Sequence, residues 1–291
     1  MIWLDKVDAS ISEFKKNNGV VLHGLRIKKG EQLCPVIYLE DYFRNYQNGE
    51  TVEKILEDIY NEYYSKEEEL ADKESQISDL QMNDFKISCD KIIYRLVNYE
   101  KNKEILKECP YIRLYDLAVT FRWIVFIYDT GIGTSLITHE QMNSWGISMN
   151  ELLLAAIKNT PRLFPCKIID INNMLRKVNY PFPKEYFYLP IYVMTNEQET
   201  NGASILLYES ALKGFADTKE SDMYIFPACI HEVILIPVTL PVEPSELFSM
   251  VRNINRICVP EKDILSDSVY YYSRKKDKLL LLKDGDSYKS E

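Results

Sequence analysis

From Tyr115 to Val125 the chain alternates without a break. Tyr115, Leu117, Val119, Phe121, Trp123 and Val125 make one apolar row; Asp116, Ala118, Thr120, Arg122 and Ile124 make the other. Successive side chains on a strand point to opposite faces, so this run commits the segment to a strand with one well-buried face. Such a strand needs partners, because an isolated strand or hairpin is at best marginally stable in water. The turn residues Asp129-Thr130-Gly131-Ile132-Gly133 lead into Thr134 to Thr138, which supplies a hairpin partner. Three more strand pairs are predicted. They are Ile191 to Thr195 with Ala203 to Tyr208, Tyr224 to Ile230 with Val233 to Val238, and Val269 to Ser273 with Leu279 to Leu282 around the basic turn Arg274-Lys275-Lys276.

Helices follow these pairs. Thr138 with Gln141, and Ser148 with Glu151, have the spacing of capping boxes. The first opens a short helix ending near Trp145-Gly146. The second opens the apolar helix Leu152 to Lys158, which Asn159-Thr160-Pro161 is expected to stop. Ser210 to Ala216 and a segment from Pro244, with Leu247, Met250, Val251 and Ile254 at helical spacing, complete the set. A short helix is expected around Asn172 to Lys177. Strand, strand, helix thus recurs at 115–158, 191–216 and 224–255. That order predicts an α+β fold of antiparallel hairpins each followed by a helix, not a parallel βαβ sheet.

The first part of the chain reads as helix-rich. Leu4, Val7, Ile11 and Phe14 are spaced for a helix that Asn18-Gly19 would end. Strands at 20–27 and 34–39 precede helices at 40–47 and from Val52, with Thr51 as N-cap. Phe85 to Val97 and a stretch to Lys107 are read as further helices. Residues 65–84 are polar and acidic, a solvated helical extension or a mobile loop. Two regions are therefore expected, 1–110 and 111–291.

Composition narrows the functional classes. The 291 residues carry a formal net charge of −9, which disfavours nonspecific binding to nucleic acid or anionic membranes. No apolar run is long enough to span a bilayer, and the start lacks a basic then apolar leader. The six cysteines are scattered with no C-x-x-C pair; isolated ones among apolar neighbours, such as Cys229 and Cys258, read as small buried hydrophobes, and the chain reads as cytoplasmic.

Candidate chemistry is sparse. His231-Glu232 begins like a zinc-peptidase helix, but Leu235 stands where the second histidine is needed, and three histidines in all leave no metal set. Asp129-Thr130-Gly131 followed by Ser135-Leu136-Ile137 resembles the active-site turn of aspartic peptidases. That chemistry needs two carboxylates sharing a proton, and the chain has one such triplet, so Asp129 could serve only in a dimer. Gly131-Ile132-Gly133 lacks the spacing of a phosphate loop, and no G-x-S-x-G is present. No metal or cofactor is expected.

Several phrases, among them Leu22-His23-Gly24, Leu96 to Asn102, Ala156 to Leu163, Ile230 to Pro237 and Leu265 to Tyr270, resemble an uncharacterised domain-of-unknown-function family from anaerobic Gram-positive bacteria. The second half is also similar to the YtpQ-like proteins. Neither resemblance implies a catalytic residue. The leading expectation is a binding or regulatory module engaging a protein partner, with a homodimer as one form. The alternative is an enzyme or small-ligand binder with a pocket near Asn159, Arg162, His231 and Glu232, and the Asp129 peptidase stands third.

Overall fold

The computed structural model describes residues 8–28, 35–71, 84–127, 132–171, 190–239 and 244–282. The chain divides into two compact units, Met1–Gln81 and Met82–Glu291. The division falls inside the polar stretch 65–84. Residue 110 lies within the second unit, because the segment from Ile92 pairs with Leu117–Ile127.

In the first unit β1 (Asp8–Lys15), β2 (Val21–Lys28) and β3 (Val36–Tyr38) form an antiparallel sheet in that order. The helix expected over 4–17 is thus a strand where it is described. Asn18 and Gly19, at φ 61 and 72, make a hairpin turn with two positive-φ residues and bring Phe14 opposite Leu22 and Ile11 opposite Leu25. Tertiary pairing has overridden a weak helical spacing. Gly24 lets Phe14 lie flat on β2, since a Cβ there would stand 2.5 Å from the Phe14 ring. Helices α1 (Glu40–Gln47) and α2 (Val52–Ala71) follow as expected. The Thr51 hydroxyl accepts from the Lys54 amide at 3.4 Å, at the N-terminus of α2. Ile27, Ile37 and Tyr63 form the core, with Leu25, Tyr42, Ile59 and Tyr64 packed around them.

The second unit opens with a short helix α3 (Phe85–Ser88) and then β4 (Ile92–Asn98), where a helix over 85–97 is expected. Ile92, Ile93, Tyr94 and Leu96 are all buried, so β4 is covered on both faces, and such a strand mimics a buried helix in sequence. After α4 (Lys103–Leu106) come β5 (Tyr111–Leu114), β6 (Leu117–Ile127) and β7 (Ile132–Leu136). The long β6 is the spine of this sheet: β4 pairs along one edge, and β5 and β7 share the other. The alternating run is central: Leu117, Val119, Phe121 and Trp123 of the apolar row are buried, and so are Ala118, Thr120 and Ile124, while Tyr115, in the turn before β6, is exposed. Asp129-Thr130-Gly131 and the expected helix around Asn172 lie outside the described residues.

Helices α5 (His139–Trp145) and α6 (Met149–Leu163) begin where their capping residues place them. The Thr138 hydroxyl accepts from Gln141 N, and Ser148 and Glu151 form a complete capping box. Pro161 does not stop α6 as expected. It sits in the last turn, where the carbonyl it leaves without a donor belongs to Ile157, a residue exposed to solvent.

A six-stranded antiparallel sheet completes the unit. Its strands are β8 (Cys166–Asp170), β9 (Tyr192–Asn196), β10 (Met223–Phe226), β11 (Val233–Pro237), β12 (Tyr270–Ser273) and β13 (Lys278–Leu281), in the order β13-β12-β10-β11-β9-β8. Ala203 to Tyr208, expected to pair with β9, is instead a 3-10 turn over Gly202–Leu207, and β9 lies between β8 and β11. Helices α7 (Ala211–Lys219) and α8 (Pro244–Cys258) follow. Leu247, Phe248 and Val251 of α8 pack with Tyr224, Phe226 and Ile236 into a core of the unit. The fold is α+β, and every strand pairing among the described residues is antiparallel.

Candidate functional site

Asn159 and Arg162 stand one turn apart on α6 and 3.4 Å from each other, Arg162 Nη2 to Asn159 Oδ1. Asn159 is buried, and its amide donates to the carbonyls of Cys89 at 2.6 Å and Ile92 at 3.0 Å. The next residue continues the pattern: Thr160 Oγ1 accepts from Tyr94 N at 3.1 Å and donates to Ala156 O at 2.7 Å. β4 is a sheet edge, so these side chains satisfy backbone groups that no strand pairs. Arg162 is exposed and donates to Asp90 O at 3.1 Å.

His231 and Glu232 end the loop from β10 to β11. The loop is not a tight hairpin. It is stitched to the segment before β12, with Ile230 N donating to Asp263 O and Leu265 N to Ala228 O, each at 2.8 Å. His231 Nδ1 accepts from Asn201 N at 3.3 Å, its Nε2 lies 3.6 Å from Asp263 Oδ1, and its carbonyl accepts from Thr195 Oγ1 at 2.8 Å. Glu232 lines a pocket of about 120 Å³ with Cys229, Ile254 and Cys258. Burial lifts the Glu232 carboxyl above its usual range; nearby His231 opposes this and Glu199 adds to it. Burial likewise pushes the Cys229 thiol up to about 11, which keeps it protonated and unreactive at neutral pH. The two predicted pairs do not share either pocket described here.

A separate small cavity of about 10 Å³, room for about one water, lies along the unpaired edge of β4, between that strand, α6 and the 3-10 turn at Gly202. Arg95, Tyr94, Ser204, Ile93, Ile132 and Phe164 are among its walls. Sequence reasoning passed over Arg95, because it sits in a stretch read as helix. The available signal was a cation flanked by Tyr94 and Leu96, with Ile93 two positions away and no acid on its strand.

The profile described as "Family of unknown function (DUF5688)" matches residues 2–274, spanning parts of both units. The chain belongs to this family. No curated protein and no solved structure matches it.

The first unit of this DUF5688 chain carries a second feature. Helix α2 has two apolar stripes at i, i+4, i+8 spacing. Ile55, Ile59 and Tyr63 turn inward and build the core. Val52, Leu56 and Tyr60 turn outward, with Leu56 59% exposed. On α1, Phe43 is 60% exposed, and Tyr46 also faces solvent. A helix that needs a single apolar face for its own fold here shows a second. Glu53 and Glu57 lie one turn position away from Leu56 and Tyr60, so the outer stripe has an acidic border. No helix among the described residues is long and apolar enough to cross a membrane.

Proposed function

We propose that this chain is a cytoplasmic binding module whose first unit engages a protein partner through the outer faces of α1 and α2. One observation carries the reading: Val52, Leu56 and Tyr60 form an apolar stripe on solvent while the parallel stripe beside it already fills the core. Exposed apolar rows rimmed by charge are the usual mark of an interaction surface. The Glu53 and Glu57 border selects a partner with an apolar patch ringed by Lys or Arg. A symmetric pair of these chains would set acid against acid, which favours a different protein over a second copy. An origin in Gram-positive anaerobes and the likeness of the second half to YtpQ-like proteins belong to the same reading and add no activity. Asn159, Arg162 and His231 hold backbone groups in the second unit and supply no competing constellation for catalysis.

The test is native mass spectrometry of the tagged chain, gently purified from its own cells, beside the Leu56→Glu variant. The expected result is an added mass from a basic protein that rebinds the purified chain, releases at high salt, and is lost with Leu56→Glu. A bare monomer, or a partner retained by the variant, overturns the proposal. A homodimer split by Leu56→Glu would keep the surface and replace the partner with a second copy.

A further inference from the structure

Glu232 immediately precedes β11 and lines the same pocket as Ile234, two residues on, the spacing at which side chains of an extended chain share a face. Helix α8 covers this face. Ile236 packs with Leu247 and Val251, and Ile234 and Ile254 lie against the same core. The row therefore runs from a buried interior under the first half of α8 to a carboxyl group near its end. There the packing opens into the pocket of about 120 Å³, whose walls include Ile254, Cys258, Val259 and Pro260. Cys258 and Pro260 are exposed, which sets the mouth of the pocket at the end of the helix. The space approaches the roughly 150 Å³ of an engineered cavity that takes up benzene, so it has room for a molecule of about five heavy atoms.

The pocket is one-sided in charge. Its walls include the Glu232 carboxyl and no Lys, Arg or His. Among the described residues this carboxyl accepts no hydrogen bond and forms no ion pair; its charged neighbours are His231 and Glu199. His231 is already engaged, with Nδ1 on Asn201 N and Nε2 beside Asp263. The end of α8 adds to the imbalance, because the last carbonyls of a helix lack donors and carry the negative end of its dipole. Pro260 has no N–H to offer Arg256 O, and no backbone N–H among the described residues reaches the carbonyls of Ile257 or Cys258. A half-buried carboxylate without a partner, beside a helix C-terminus, calls for a cation that the chain does not supply. Among the described residues no three His, Cys, Asp or Glu side chains converge as a metal site requires. Ala228, Ile234, Ile254 and Val259 instead give the pocket an apolar wall, which suits the tail of an organic cation.

We propose that this pocket is a binding site for a small primary ammonium with a short apolar tail, its head held by Glu232 at the end of α8 and its tail against Ile234, Ile254 and Val259. The site is independent of the surface on α2. Of the four residues that the sequence grouped into one pocket, Glu232 alone lines it.

The test uses the full chain with n-butylammonium chloride as probe, read at neutral pH by ligand-detected NMR and by thermal shift. Butan-1-ol serves as the uncharged counterpart, butyrate reverses the charge, and ammonium chloride lacks the tail. Butylammonium is expected to bind saturably, at roughly millimolar affinity, and to raise the melting temperature. Butanol, butyrate and ammonium are expected to bind more weakly. Glu232→Gln, which keeps the shape of the side chain and removes its charge, should weaken butylammonium roughly tenfold or more. Ile254→Ala should weaken it by about two- to tenfold through lost contact with the tail. Butanol or butyrate binding as well as butylammonium, ammonium binding better, no saturable binding, or unchanged affinity in Glu232→Gln would each overturn the proposal. Unchanged affinity in a folded Ile254→Ala also overturns it, because the tail would then lie elsewhere. If circular dichroism shows Ile254→Ala unfolded, Glu232→Gln decides alone.

Discussion

The side-chain amide of Asn159 donates to the backbone carbonyl of Ile92 at 3.0 Å, joining α6 to the outer edge of β4. A second bond from the same nitrogen reaches Cys89 O at 2.6 Å. Removing the amide leaves two carbonyls beside a buried side chain without their donor. Asn159→Ala is expected to destabilise the chain by about 2–4 kcal/mol, read as a lower urea midpoint. Asn159→Asp should cost at least as much, because a carboxylate cannot donate. Wild-type stability in both variants would show that these bonds contribute nothing net.

Gly202 is fixed by its neighbours rather than by its dihedral angles. A Cβ at this position would stand 2.2 Å from Thr195 Oγ1 and 2.4 Å from the His231 carbonyl. The latter is backbone and held in place by the Thr195 hydroxyl. Gly202→Ala is therefore expected to lose about 1–3 kcal/mol by thermal or chemical unfolding. Adding Thr195→Ala should not restore the loss, because the carbonyl contact remains.

The elements that sequence patterns revealed are those whose signal is local. Capping residues placed the starts of α2, α5 and α6, and the alternation at 115–125 found β6. The misread stretches depend on distant partners. Residues 8–15 become a strand because β2 pairs with them along their whole length. Ile92 to Leu96 is apolar on both faces, which a buried helix and a doubly covered strand share. Pro161 stays helical because it falls in a last turn. The candidate site was less legible. Asn159 and Arg162 stand one turn apart on one segment, but their backbone acceptors lie about 70 residues away, where no local pattern points. Nothing in the order of residues says that Arg95 meets no acid among the described residues, since that is a property of the packed sheet.

Glu232 gives the chain a pH dependence of definite sign. Its carboxyl is raised by burial, so folding favours the protonated form. The stability associated with this group is therefore present at pH below its unfolded value, about 4.3, and is lost as pH rises through its folded value. Glu232→Gln removes a charge that is costly at neutral pH. The variant is expected to melt higher than wild type at pH 7, and the difference should close as pH falls toward the carboxylate range. A difference that persists unchanged at acid pH would assign the effect to packing.

The turn between β5 and β6 has a consequence for the order of events during synthesis. Asp116 in that turn accepts from Ser266 at 2.5 Å and from Ser268 at 3.0 Å, and it also takes the Tyr270 hydroxyl. Asn98 donates to Leu265 O at 2.9 Å, and Tyr115 to Leu279 O at 2.9 Å. Partners about 150 residues downstream thus complete a turn made early. A ribosome adds residues over many seconds, so the first sheet of this unit emerges with a carboxylate and several polar groups waiting for chain that does not yet exist. Until Tyr270 has been made, those groups remain bound to water, and the second unit reaches its final closure only once that segment has emerged.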